Sequence, residues 1–99
     1  MILTTTNSIE GFKITEYKGL VSGVAVNTRK ASFSFKMEKF LETMEKSIEE
    51  VKEDAFQKLQ ENAVKLKANA VVGIAVDFET VPNSTYILIS VTGTAVNVA

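Results

Sequence analysis

The chain has 99 residues, with eleven Lys and Arg against twelve Asp and Glu, so it carries a net charge of −1 and lacks the basic excess that nucleic-acid binding needs. It contains no cysteine and no histidine, which excludes disulfides, thiolate metal sites, cysteine nucleophiles and the most common general base. A hydrophobic share of 45% with a charged share of 23% fits one small globular domain over residues 1–99 rather than a disordered chain.

Residues 1–6 lack the charged start and long apolar core of a signal peptide, and no apolar run is long enough to span a bilayer. The expectation is a soluble, cytoplasmic protein with no membrane partner. Residues 2–6 can form a short strand, followed by a turn at Asn7-Ser8 and a bend at Gly11. Residues 12–17 alternate, with Phe12 and Ile14 on one side and Lys13 and Thr15 on the other. A further strand is predicted over 20–28. Gly19 and Gly23 leave open whether the two are one long bent strand, and Gly23 signals a bulge or a close backbone approach. Residues 27–36 give no clear reading, although Phe33 and Phe35 alternate with Ser32 and Ser34.

Residues 37–66 carry one apolar stripe of helical spacing: Met37, Leu41, Met44, Ile48, Val51, Ala55, Leu59, Ala63 and Leu66 recur every three or four residues. The opposite face is charged, with Glu42–Lys46 and Glu61–Lys65 as favourable pairs four apart. Such a helix spans roughly 45 Å at 1.5 Å per residue, so it is expected to overhang its sheet or to break near Ser47. Lys67 falls just past its end, where a left-handed backbone is common.

A strand follows over 70–78. Strict alternation puts Ala70, Val72, Ile74, Val76 and Phe78 toward the helix, and Val71, Gly73, Ala75, Asp77 and Glu79 on the other face. Residues 81–84 form a turn around Pro82. A last strand over 85–98 places Ile87, Ile89 and Val91 on one face and Tyr86, Leu88, Val96 and Val98 on the other. The predicted fold class is therefore α+β, in the order β-β-α-β-β, with one long amphipathic helix on a mainly antiparallel sheet. One helix cannot cover both faces of such a sheet, and the second face is also apolar. A patch of that kind marks an interface, so a homo-oligomer is expected, unless Phe33 and Phe35 fold back over it.

Asp77 and Glu79 are the candidate metal residues. Two apart on a strand, they share a face and could hold Mg²⁺ or Ca²⁺ through oxygen. The plainer reading is that they solvate the end of a strand beside a turn. Thiophilic metals find no Cys or His, and Met37 and Met44 lie on the helix stripe as core residues. Nothing selects Glu10 and Glu16 as a catalytic carboxylate pair. Thr4-Thr5-Thr6 has no base partner to make a nucleophile, and no Gly-Lys-Ser/Thr follows Gly19 and Gly23 to make a phosphate loop. No catalytic residue and no cofactor site is therefore assigned.

Taken in order, Thr5-Thr6, Ile9-Glu10-Gly11, Glu16-Tyr17, Gly19, Gly23, then Ala68-Asn69-Ala70-Val71-Val72-Gly73, Asp77-Phe78-Glu79-Thr80-Val81 and Gly93-Thr94-Ala95-Val96 resemble the YbjQ-like family of uncharacterised bacterial proteins. The resemblance implies a small β/α subunit with one long helix, assembled as a ring-shaped homo-pentamer. It implies no established catalytic activity, only a heavy-metal-binding label. Val24 and Ala75 stand where the family often has acids, Lys67 stands where it usually has a helix-ending glycine, and a Gly-Gly-Arg-Ser-like loop before the helix is missing. The expected function is a non-enzymatic, ring-forming protein that binds a small ligand or acts as a scaffold. The alternative is metal binding, which here favours hard cations.

Overall fold

The computed structural model describes the backbone of residues 1–27, 37–80, 82 and 86–99, and the side chains of these residues except 37–47. It places β1 (Ile2–Leu3), β2 (Ile14–Val26), α1 (Met37–Lys65), β3 (Ala70–Thr80) and β4 (Ile87–Val98) in the predicted order β-β-α-β-β. Phe33 and Phe35 lie outside the described residues. The strands form one sheet in the order β1-β3-β4-β2. β4 is central in this order and pairs antiparallel with both β3 and β2, while β1 runs parallel to β3 through Ile2↔Ala70 and Leu3↔Val71. The sheet is thus mixed and mainly antiparallel. The two amino-terminal strands, neighbours in sequence, are not neighbours in the sheet.

The two alternating segments on either side of Gly19 are one strand. β2 runs unbroken for 13 residues, and the register shift between Tyr17 and Gly19 supplies its bend. Gly23 has a different role. A Cβ there would collide with the carbonyl oxygen of Ala55 and lie 2.6 Å from the amide nitrogen of Leu59. The helix backbone rests directly on the strand backbone at this point, the close approach that a glycine inside a strand signals.

α1 is continuous through Ser47 and runs antiparallel to β2, with Asn62 beside Ser22 and Lys58 beside Val24. From the Gly23 contact the described sheet continues about 13 Å, to Asn27 and Ile87, at about 3.3 Å per residue. The helix runs about 30 Å in the same direction to Met37. Its first turns therefore extend past the described sheet rather than break, and the longest dimension is 54 Å against 21 and 18 Å. The helix closes on a Schellman motif: the amide of Lys67 donates to Val64 O at 2.9 Å, the amide of Ala68 donates to Ala63 O at 3.1 Å, and Lys67 has φ 61°.

The core lies between α1 and the sheet. Val51, Ala55, Leu59 and Ala63 pack on Val21, Ala25, Val71, Ile74, Ile87, Ile89, Val91 and Ala95. Val71 is fully buried here, although strict alternation put it on the opposite face. The cause is a bulge at Gly73, where φ is 62° and the β3–β4 register slips between Val72 and Ala75. One extra residue inverts the parity, so Val71, Ile74, Val76 and Phe78 face the helix side while Ala70 and Val72 face away. Val76 and Phe78 remain half-exposed, because the helix lies over β2 and β4 rather than over the far half of β3.

Candidate functional site

The face opposite the helix divides into two halves. Near the chain termini, Ala70, Val72, Val96 and Val98 are covered by Ile9 and Ile14 of the chain itself. The amino-terminal segment thus supplies part of the cover that a second subunit was expected to give. Toward the other end no cover is seen among the described residues. Tyr17 is 71% exposed and Leu20 86% exposed, and Val24 and Val26 follow them on the same face of β2, opposite Ser90 and Leu88.

Asp77 and Glu79 lie on this same face. Their partners across the ladder are Ser90 and Leu88, and both acids are exposed. The prediction that they point away from the helix, at the wet end of a strand, holds. No third acid joins them: among the described residues, no group of three or more His, Cys, Asp or Glu is close enough to hold a metal ion. Two carboxylates are fewer oxygens than the six to eight that Ca²⁺ takes. Glu16 makes an ion pair with Lys18 at 3.0 Å, and Glu10 lies on the exposed turn before Gly11.

A polar constellation that sequence reasoning missed forms around the Gly73 bulge. The amide of Gly73 donates to Thr6 O at 2.8 Å, and the amide of Ile74 donates to Thr4 O at 3.1 Å. The Thr4 and Thr6 hydroxyls share a hydrogen bond of 2.8 Å, and Thr6 Oγ1 donates to Ser8 O at 2.6 Å. The threonine run therefore clasps the bulge. Next to it, Asn69 pairs with β4 through its side chain. Nδ2 donates to Val98 O at 3.0 Å, and Oδ1 accepts from the Val98 amide at 2.8 Å. The available signal was that both stretches, Thr5-Thr6 and Asn69 to Gly73, carry the family-like motifs. The fold brings them together.

A shallow concavity runs along the outer flank of α1, lined by Glu49, Glu53, Phe56, Gln57, Gln60 and Val64. All of its described lining comes from this one helix. No described helix is long and apolar enough to cross a membrane.

Comparison with known proteins agrees with this architecture. The model of the YbjQ family, described as "Putative heavy-metal-binding", matches residues 1–99. A UPF0145 protein of Acetivibrio thermocellus is 34% identical over 97% of this chain and 97% of its own length. A crystal structure of a protein of unknown function from the DUF74 family of Pediococcus pentosaceus superposes with a TM-score of 0.69. At 20% identity, over 100% of this chain and 98% of that one, it is a likeness of fold.

Proposed function

Because the chain belongs to the YbjQ family, we propose that it is one subunit of a homo-oligomeric ring, a pentamer by resemblance, with a scaffolding or small-ligand-binding role rather than a catalytic one. The observation that supports this is the open half of the sheet. A leucine left 86% exposed in line with Tyr17, Val24 and Val26 on a long outer strand is a patch that a second copy would bury. The chain's own amino-terminal segment covers the other half of that face and stops short of this one.

Light scattering tests the reading. The expected mass is a fixed multiple of 10.8 kDa. Leu20→Asp lowers that mass while circular dichroism retains the folded spectrum, since the side chain takes no part in the core. A mass of 10.8 kDa at every concentration overturns it.

A second reading rests on Asp77 and Glu79, which share one exposed face. They offer oxygen to a hard divalent cation, and a ring would repeat the pair in each subunit. Calorimetric titration of Mg²⁺, Ca²⁺, Zn²⁺ and Cd²⁺ is expected to give weak Mg²⁺ or Ca²⁺ binding that Asp77→Asn removes. Tight stoichiometric Zn²⁺ or Cd²⁺ binding contradicts the donor set.

A further inference from the structure

Among the described residues β2, of 13 residues, is an edge strand, the last in the order β1-β3-β4-β2. An edge of that length presents outward amides and carbonyls that another chain can pair with. At its middle, two of those carbonyls are already engaged by the helix. Asn62 Nδ2 donates to Ser22 O at 2.8 Å, and Lys58 Nζ donates to Val24 O at 3.0 Å. Residues 58 and 62 are one helical turn apart, and residues 22 and 24 are one strand repeat apart, so the two periods meet at the same two points. Gly23 makes this possible, because only a glycine lets the helix backbone come close enough for these side chains to reach over the edge.

We propose that Lys58 and Asn62 are edge guards: by holding the outward carbonyls of Val24 and Ser22, they keep β2 closed to strand addition by a second copy of this chain. The occupant excluded is a second copy because the edge is self-complementary. An antiparallel β2–β2 pair would extend the sheet and align Leu20, Val24 and Val26 of one subunit beside those of the other. Such a pairing needs alternating donors and acceptors, and the guards remove two acceptors from the centre of the row. The association proposed above for the open face is a different contact, made through side chains, and this inference does not depend on it.

The test removes the guards and leaves the fold. Lys58→Met keeps the aliphatic stem, Asn62→Ala removes the amide, and neither position belongs to the buried core. The double variant is expected to form assemblies whose mass grows with concentration beyond that of the wild type. In those assemblies the amides of Ser22 and Val24 should exchange with deuterium more slowly than in the wild type. Adding Ser22→Pro removes an outward amide without costing a bond to β4, and is expected to restore the wild-type mass. Three results overturn the inference: a double variant with the wild-type mass at every concentration, wild-type amides at 22 and 24 that are already protected, or growth that survives Ser22→Pro. A monomeric wild type would end the ring reading alone, because the comparison here is between variant and wild type.

Discussion

Asn69 is the residue whose removal tests the account of the sheet most sharply. β3 begins at Ala70, yet the ladder to β4 extends one rung further because the Asn69 side chain imitates a peptide group. Its amide donates to Val98 O and accepts from Val98 N, and its own backbone amide donates to Val96 O and to Asn97 Oδ1. Asn69→Ala loses both side-chain bonds. A net hydrogen bond is worth about 1 kcal/mol, so the loss is at least about 2 kcal/mol, and more where the 8% exposed Val98 keeps water from its freed amide and carbonyl. For a chain this short that lowers the melting temperature by about 8–16 °C. Asn69→Asp is the sharper variant. It keeps the shape and the acceptor but replaces the donor with a second carboxylate oxygen facing Val98 O. It is expected to cost at least as much as Asn69→Ala. The assay is urea unfolding followed by circular dichroism, at one fixed protein concentration so that subunit association does not enter the comparison. An aspartate variant as stable as the wild type would refute the peptide-mimic reading.

Lys67→Gly is expected to stabilise the chain by about 1 kcal/mol, because a side chain at a left-handed position strains the backbone and glycine does not; a rise in the urea midpoint checks it. Gly23→Ala puts a methyl group into the Ala55 carbonyl and is expected to cost about 3 kcal/mol or more, read as a lowered melting temperature or loss of soluble protein. Val71→Asp is expected to unfold the chain, since it places a charge in the fully buried core, whereas Leu88→Asp on the open face keeps the folded circular dichroism spectrum.

The elements legible in the sequence are those whose signal is local. The spacing of four from Val51 through Ala55 and Leu59 to Ala63 marks the buried stripe of α1, and all four are buried. The position of Lys67 just past that stripe fixed the helix end, and its φ of 61° agrees. Gly23 announced a close approach without naming its partner. The order of the sheet was less accessible, because β1 is two residues long and its pairing with β3 depends on contacts some seventy residues away. The cover that Ile9 and Ile14 give the far face escaped for the same reason. Ile9 is one apolar residue in a polar segment with no period to mark it, and the alternation that marks Ile14 does not say which face it covers.

The bulge at Gly73 shows how one residue separates a right conclusion from a wrong one. Strict alternation along β3 placed Val71 outward and Asp77 outward together. The structure keeps the second and reverses the first, because the extra residue lies between them. The glycine was visible, and a glycine inside a strand is the usual mark of a bulge. Its role as one could not be separated from its role as a small residue until its partners were known. Those partners are Thr4 and Thr6, whose carbonyls take the amides of Ile74 and Gly73 that the slipped register withdraws from the ladder. The threonine run and the glycine are therefore one device. The amino-terminal segment clasps the bulge, the bulge turns Val71 into the core, and beyond it the strand resumes with Asp77 and Glu79 on the open face. Any cation or neighbour that meets those acids meets them beside Ser90 and Leu88, on the same surface that exposes Leu20.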